Sequence, residues 1–129
     1  MLYTDSGYWI ALFADADECH ARAAELWPSL SKESLQLSEH CLGEVFTFLA
    51  SRFGHHQAKE KCLGLLADKR MTIVQAAVSD FHPAIETASK FNVSFADAIT
   101  ARLMENDGVK QLVSFDADFD KFPKIKRVH

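Results

Sequence analysis

Short apolar runs alternate with longer stretches of helical spacing along the whole chain. Leu2-Tyr3-Thr4, Leu35-Gln36-Leu37-Ser38, Met71-Thr72-Ile73-Val74 and Lys110 to Phe115 read as buried strands, and Ile125 to Val128 as a last edge strand. Between them, helical spacing predicts helices over Ser6–Ala14, Glu18–Trp27, Glu39–Phe53, His56–Asp68, Phe81–Phe91 and Phe95–Glu105. Local chemistry marks the ends. Asp17 suits the cap of the second helix, and Pro28 falls near its end. Gly54 suits the end of the third, and Pro83 is tolerable in a first turn. Ser94 caps the last helix, which stops at Asn106-Asp107-Gly108.

No two strands read as a tight hairpin. Strands that alternate with helices imply an α/β fold, with a parallel sheet covered on both faces. Right-handed crossovers then bring every strand's carboxyl end to one edge, outside which such sheets bind ligands. Asp5 follows the first strand and Asp116 the fourth, so both belong at that edge. Glu44 and Asp97 reach it from early helical turns. Carboxylates gathered in one crevice repel each other unless a cation holds them together. A divalent metal is therefore the first functional expectation.

Length and composition set limits on this reading. The chain of 129 residues fits one compact domain, residues 1–129. Ten Phe supply much of its core. No apolar run approaches a membrane span and no basic-then-apolar leader opens the chain, so a soluble cytoplasmic protein with no membrane partner is expected. Cys19, Cys41 and Cys62 are odd in number and widely spaced, which argues for packed reduced thiols over disulfides or a zinc knuckle. The net charge of −4 does not advertise nucleic-acid binding. Bound cations would offset it locally, and basic residues cluster at Lys59/Lys61, Lys69/Arg70 and Lys124 to Arg127.

Hard divalent ions take oxygen ligands, and Mg2+ and Mn2+ suit carboxylates equally well. Such an ion eases deprotonation of water and steadies charge on a phosphodiester, so phosphoryl-ester hydrolysis is the chemistry to expect. Rival readings of Asp116-Ala117-Asp118-Phe119-Asp120 fail. A calcium loop needs Gly and Glu where Lys121 and Arg127 stand. The Asp-x-Asp of aspartyl phosphatases belongs near the chain start, and a phosphate receiver needs paired early acids and a late Lys.

Four motifs in order, Tyr3-Thr4-Asp5-Ser6, Ser38-x5-Glu44, Val93-Ser94-Phe95-Ala96-Asp97-Ala98 and Val113-Ser114-Phe115-Asp116-Ala117-Asp118-Phe119, resemble a PIN domain. More narrowly they resemble the VapC-type ribonuclease toxins of toxin–antitoxin pairs. The resemblance covers nearly the whole chain. It implies a three-layer α/β/α sandwich around a mainly parallel sheet. It also implies endoribonuclease activity with Mg2+ or Mn2+ on a tRNA, rRNA or mRNA, and a homodimer neutralised by an antitoxin protein.

Carried over residue by residue, Asp5, Glu44, Asp97 and Asp116 match the catalytic, metal-binding quartet, and Asp118 an additional metal-binding acid. Ser6 matches a supporting hydroxyl beside the first acid. Ser114 stands where Thr is common and would be a second support. Asp120 reads as a surface acid and Arg102 as a surface salt-bridge partner. Trp9 and Trp27 read as core or dimer-contact residues, and His20, His40, His55 and His56 as non-ligating. The alternative from another class is a non-catalytic PIN-like scaffold that binds RNA or protein; retention of all four acids counts against it.

Overall fold

Five strands pair in parallel in the order β3-β2-β1-β4-β5. They are β1 (Leu2–Thr4), β2 (Leu35–Ser38), β3 (Met71–Val74), β4 (Gln111–Val113) and β5 (Lys126–Val128). Six helices flank them: α1 (Ser6–Phe13), α2 (His20–Leu30), α3 (Glu39–Phe53), α4 (His55–Ala67), α5 (Phe81–Phe91) and α6 (Phe95–Asp107). The structure is a computed structural model that describes residues 1–129.

Side chains alternate across the sheet, as the two-residue strand period requires. Leu2, Leu35, Leu37 and Val113 enter a core of 15 buried residues shared with α1, α2, α3 and α4. Tyr3 and Leu112 enter a second core of 9 with α5 and α6. The expected sandwich of helices on both faces is therefore what forms. The first strand lies in the middle. The chain builds outward to β3, then returns to the other side of β1 for β4 and β5. The resulting switch point is flanked by β1 and β4, whose carboxyl ends carry Asp5 and Asp116.

Several expected bounds shift for physical reasons. The second helix starts at His20, not Glu18, because the Asp17 carboxylate accepts the Cys19 amide at 2.8 Å and holds the chain in a turn. It also runs past Pro28 to Leu30. Pro28 lacks an N–H to donate, yet the Ser31 amide still reaches the Trp27 carbonyl at 2.8 Å and closes the last turn. The fourth helix spans His55–Ala67 and begins directly after Gly54, whose φ of 94° separates it from α3. The sixth runs two residues beyond Glu105, to Asp107, and ends at left-handed Gly108.

The fourth strand is shorter than expected. Ser114 leaves it because the Asp116 amide turns back onto the Ser114 hydroxyl at 3.0 Å. The last strand starts at Lys126, since Ile125 donates its amide to Phe122 in a turn. Arg102 forms the expected salt bridge, but with a buried partner. Its partner Asp80 is buried and accepts from Arg102 Nε at 3.0 Å, Asn106 Nδ2 at 3.1 Å and the Ala77 amide at 3.0 Å. This pair fastens the segment before α5 to α6 from beneath the surface.

Candidate acidic metal centre

Asp5 ends β1 and caps α1. Its extended backbone leaves Oδ1 free to accept the Ser6 amide at 2.9 Å. Ser114 Oγ donates to its other oxygen at 2.9 Å, and the Cys41 thiol lies 3.8 Å from Oδ1. Asp5 is only 8% exposed. Burial pushes its carboxyl above the ordinary carboxylate range; the Ser114 and Ser6 hydrogen bonds oppose this, and the charges of Glu44 and Asp116 add to it.

Asp97 lies on the first turn of α6, where its own amide bonds the Ser94 cap at 3.1 Å. Its half-buried carboxyl is held up at about 6, first by burial and then by the charges of Asp116 and Asp5. Asp116 follows β4 and starts a short 3-10 turn over Ala117–Lys121, its Oδ1 accepting the Asp118 amide at 2.9 Å. That turn is pinned by Phe119, which is wholly buried in the second core.

Asp97, Asp116 and Asp118 each bring a carboxylate oxygen within 4.8 Å of the others. Asp5 is not in this closest group but is joined to it by Ser114, which bonds both Asp5 and the Asp116 amide. Glu44 stands apart from that group too. It is exposed on α3, and its charge is felt at Asp5. Asp118 also pairs with Lys121 at 3.1 Å. Ser6 Oγ lies 3.5 Å from Asp5 Oδ1, a weaker contact than its amide makes.

The donors facing this crevice are carboxylate oxygens, as a hard divalent cation prefers. Burial is the main cause of the raised Asp97 and Asp5 carboxyls and the charges of neighbouring acids add to it, and a bound cation would relieve that repulsion. The residues present therefore fit such an ion.

Two contributors escape a reading of the sequence. Cys41 reads there as a packed thiol. It is buried, yet it also touches Asp5 and lies 3.8 Å from Thr100 Oγ1, and burial followed by the Asp5 charge pushes it up to about 12. A thiol held protonated in this way donates to Asp5 without adding charge. Asp120 reads as a lone surface acid but is gripped at both oxygens by Arg127. Cys41 and Asp5 are 36 positions apart, and the Asp120–Arg127 grip, though only seven apart, depends on β5 docking beside β4, so no local pattern encodes either.

A parallel sheet of this order, with acids at its switch point, defines a PIN-type domain. The family model of the PIN domain matches residues 2–125, and the chain belongs to that family. It is similar to the 23S rRNA-specific endonuclease VapC20 of Mycobacterium tuberculosis, with 30% identity over 128 residues, 92% of each chain. The crystal structure of VapC20, a sarcin-ricin loop cleaving toxin, aligns at a TM-score of 0.82 and 27% identity over 93% of both chains. VapBC2 from Rickettsia felis, bound to promoter DNA, shares the fold at 14% identity and a TM-score of 0.71, over 99% of this chain and 98% of that one. No helix is long and apolar enough to cross a membrane.

Proposed function

We propose that the protein is a divalent-metal-dependent endoribonuclease and the toxin of a toxin–antitoxin pair. The observation that carries this reading is the approach of the Asp97, Asp116 and Asp118 carboxylates to within 4.8 Å, with Asp5 tied to them through Ser114. Similarity to VapC20 supports RNA as the substrate, and makes the sarcin-ricin loop of 23S rRNA the first target to test.

Asp97, Asp116 and Asp118 would hold the ion, Mg2+ or Mn2+, with Asp5 beside them through Ser114 and Glu44 at the margin. When bound, such an ion supplies Lewis acidity toward water and charge compensation for a phosphodiester. The chain's own contribution is order. Ser114 fixes Asp5 against Asp116, the Ser94 cap sets the first turn that carries Asp97, and buried Phe119 anchors the turn that carries Asp118. Preorganised ligands spare the site a rearrangement when charge develops.

A second copy and an antitoxin are the proposed partners. Val78, Phe81, Ile85 and Phe95 expose 80%, 39%, 59% and 38% of their surface, and Phe81 packs edge-on to Phe95 at 5.8 Å. Exposed apolar side chains on α5, on α6 and just before α5 support a protein interface.

The test is cleavage-site mapping on total RNA and on isolated 23S rRNA, with Mg2+ and with EDTA, using Asp5→Asn as the control. Discrete cuts that vanish with EDTA and in a folded Asp5→Asn protein are expected. Cutting by Asp5→Asn at the wild-type rate under matched Mg2+ would overturn the assignment.

A further inference from the structure

A residue of the fifth strand grips the segment that leaves the fourth. Arg127 on β5 keeps only 11% of its side chain exposed. Its Nε and Nη2 donate to the two oxygens of Asp120 at 3.0 and 2.9 Å, and its Nη1 donates to the Ser114 carbonyl at 3.3 Å. Asp120 lies near the end of the 3-10 turn that opens after Asp116, and Ser114 stands just before that turn. One guanidinium therefore closes the loop 114–120 across its base. Asp116 and Asp118 lie inside the loop, and the hydroxyl of Ser114 faces Asp5.

We propose that Arg127 and Asp120 form a positioning clamp that holds the 114–120 loop, and with it the Asp116 and Asp118 carboxylates, at the spacing a cation needs. The functional consequence rests on the metal-dependent reading above, but the loop geometry does not. The planar fork of Arg is what permits a bidentate carboxylate grip and a third bond to a carbonyl; a Lys ammonium offers the charge without the fork. Charge alone gives the opposite sign. A cation beside an acidic site opposes a second cation, so removing Arg127 for its charge alone would tighten metal binding. Removing it as a clamp loosens the ligands and weakens binding.

The experiment compares wild type, Arg127→Lys, Arg127→Gln and Asp120→Asn as full-length protein. Mn2+ affinity is read by calorimetry, and amide hydrogen exchange over residues 114–121 is read without metal. Arg127→Gln should weaken Mn2+ by about tenfold, the scale on which residues supporting metal ligands act. Arg127→Lys should fall in the same direction, and exchange should accelerate over 114–121 but not in β1 or α6. RNA cleavage should recover at saturating Mn2+, since the loss is in loading. Asp120 is largely exposed, so Asp120→Asn keeps the test open if Arg127→Gln does not fold; it should show the same direction at smaller size. Unchanged or tighter Mn2+ binding with unchanged exchange overturns the clamp. If wild type binds no Mn2+, the metal reading falls, and exchange over 114–121 alone decides the clamp.

Discussion

Ser114 donates its hydroxyl to Asp5 Oδ2 at 2.9 Å across 109 positions of sequence. It is fully buried, and the same oxygen accepts the Asp116 amide at 3.0 Å. One small side chain thus sets the relation between the acid after β1 and the acid after β4. Ser114→Ala leaves a buried carboxylate oxygen and a backbone amide without their partner. The expected cost is about 1–3 kcal/mol for an unsatisfied buried group. Urea unfolding measures it, and RNA cleavage should drop with it. A variant with wild-type stability and rate would remove Ser114 from the site.

The pH dependence of the metal-free protein has a definite sign. Asp97 rises from 3.8 to about 6 in the folded state, and Asp5 shifts the same way. Between those values the folded chain holds more protons than the unfolded one. The contribution is fully present below about 3.8 and is lost as pH rises through about 6. The melting temperature without metal should therefore fall from pH 4 to pH 7 relative to Asp97→Asn. Added Mg2+ or Mn2+ should raise it more at pH 7 than at pH 5, because the ion requires ionised ligands. Parallel wild-type and Asp97→Asn curves would contradict the coupling.

Phe119 sits between Asp118 and Asp120 yet is wholly buried, against Phe122 at 6.1 Å. Phe119→Ala should cost about 3–5 kcal/mol through the cavity it leaves. It should also release the acidic turn, so metal affinity should fall even where the protein remains folded. Calorimetric unfolding and Mn2+ titration on the same sample give both numbers. Lost stability with intact affinity would show that the turn is held by other means.

Ile85 is 59% exposed on α5, so its replacement by Lys should leave the fold untouched. At the apolar patch it should split a homodimer. Sedimentation of wild type as a dimer and of Ile85→Lys as a monomer is the expected pair of results. A wild-type monomer would assign the patch to another partner.

Much of this architecture was legible because local rules agree with the global fold. Met71–Val74, Glu39–Phe53 and Phe81–Phe91 form over the residues their pattern predicts. Asp5 and Asp116 could be placed because a parallel sheet has one carboxyl edge. Glu44 was harder: its helix is certain, but its exposure and its distance from the closest carboxylate group depend on how α3 tilts. The Cys41 contact with Asp5 was beyond reach because it needs the register between remote segments, and the Arg127–Asp120 grip because it needs β5 docked beside β4. Pro28 does fall near the end of α2, which runs two residues further because a proline in the last turns removes one hydrogen bond without preventing the next.

Placing the first strand at the centre of the sheet has a consequence during synthesis. Residue 5 meets its counterparts only after residues 114 to 118 have left the ribosome and β4 has docked beside β1. A chain truncated before residue 114 therefore lacks the partners that gather Asp5 with Asp116 and Asp118 into one acidic crevice.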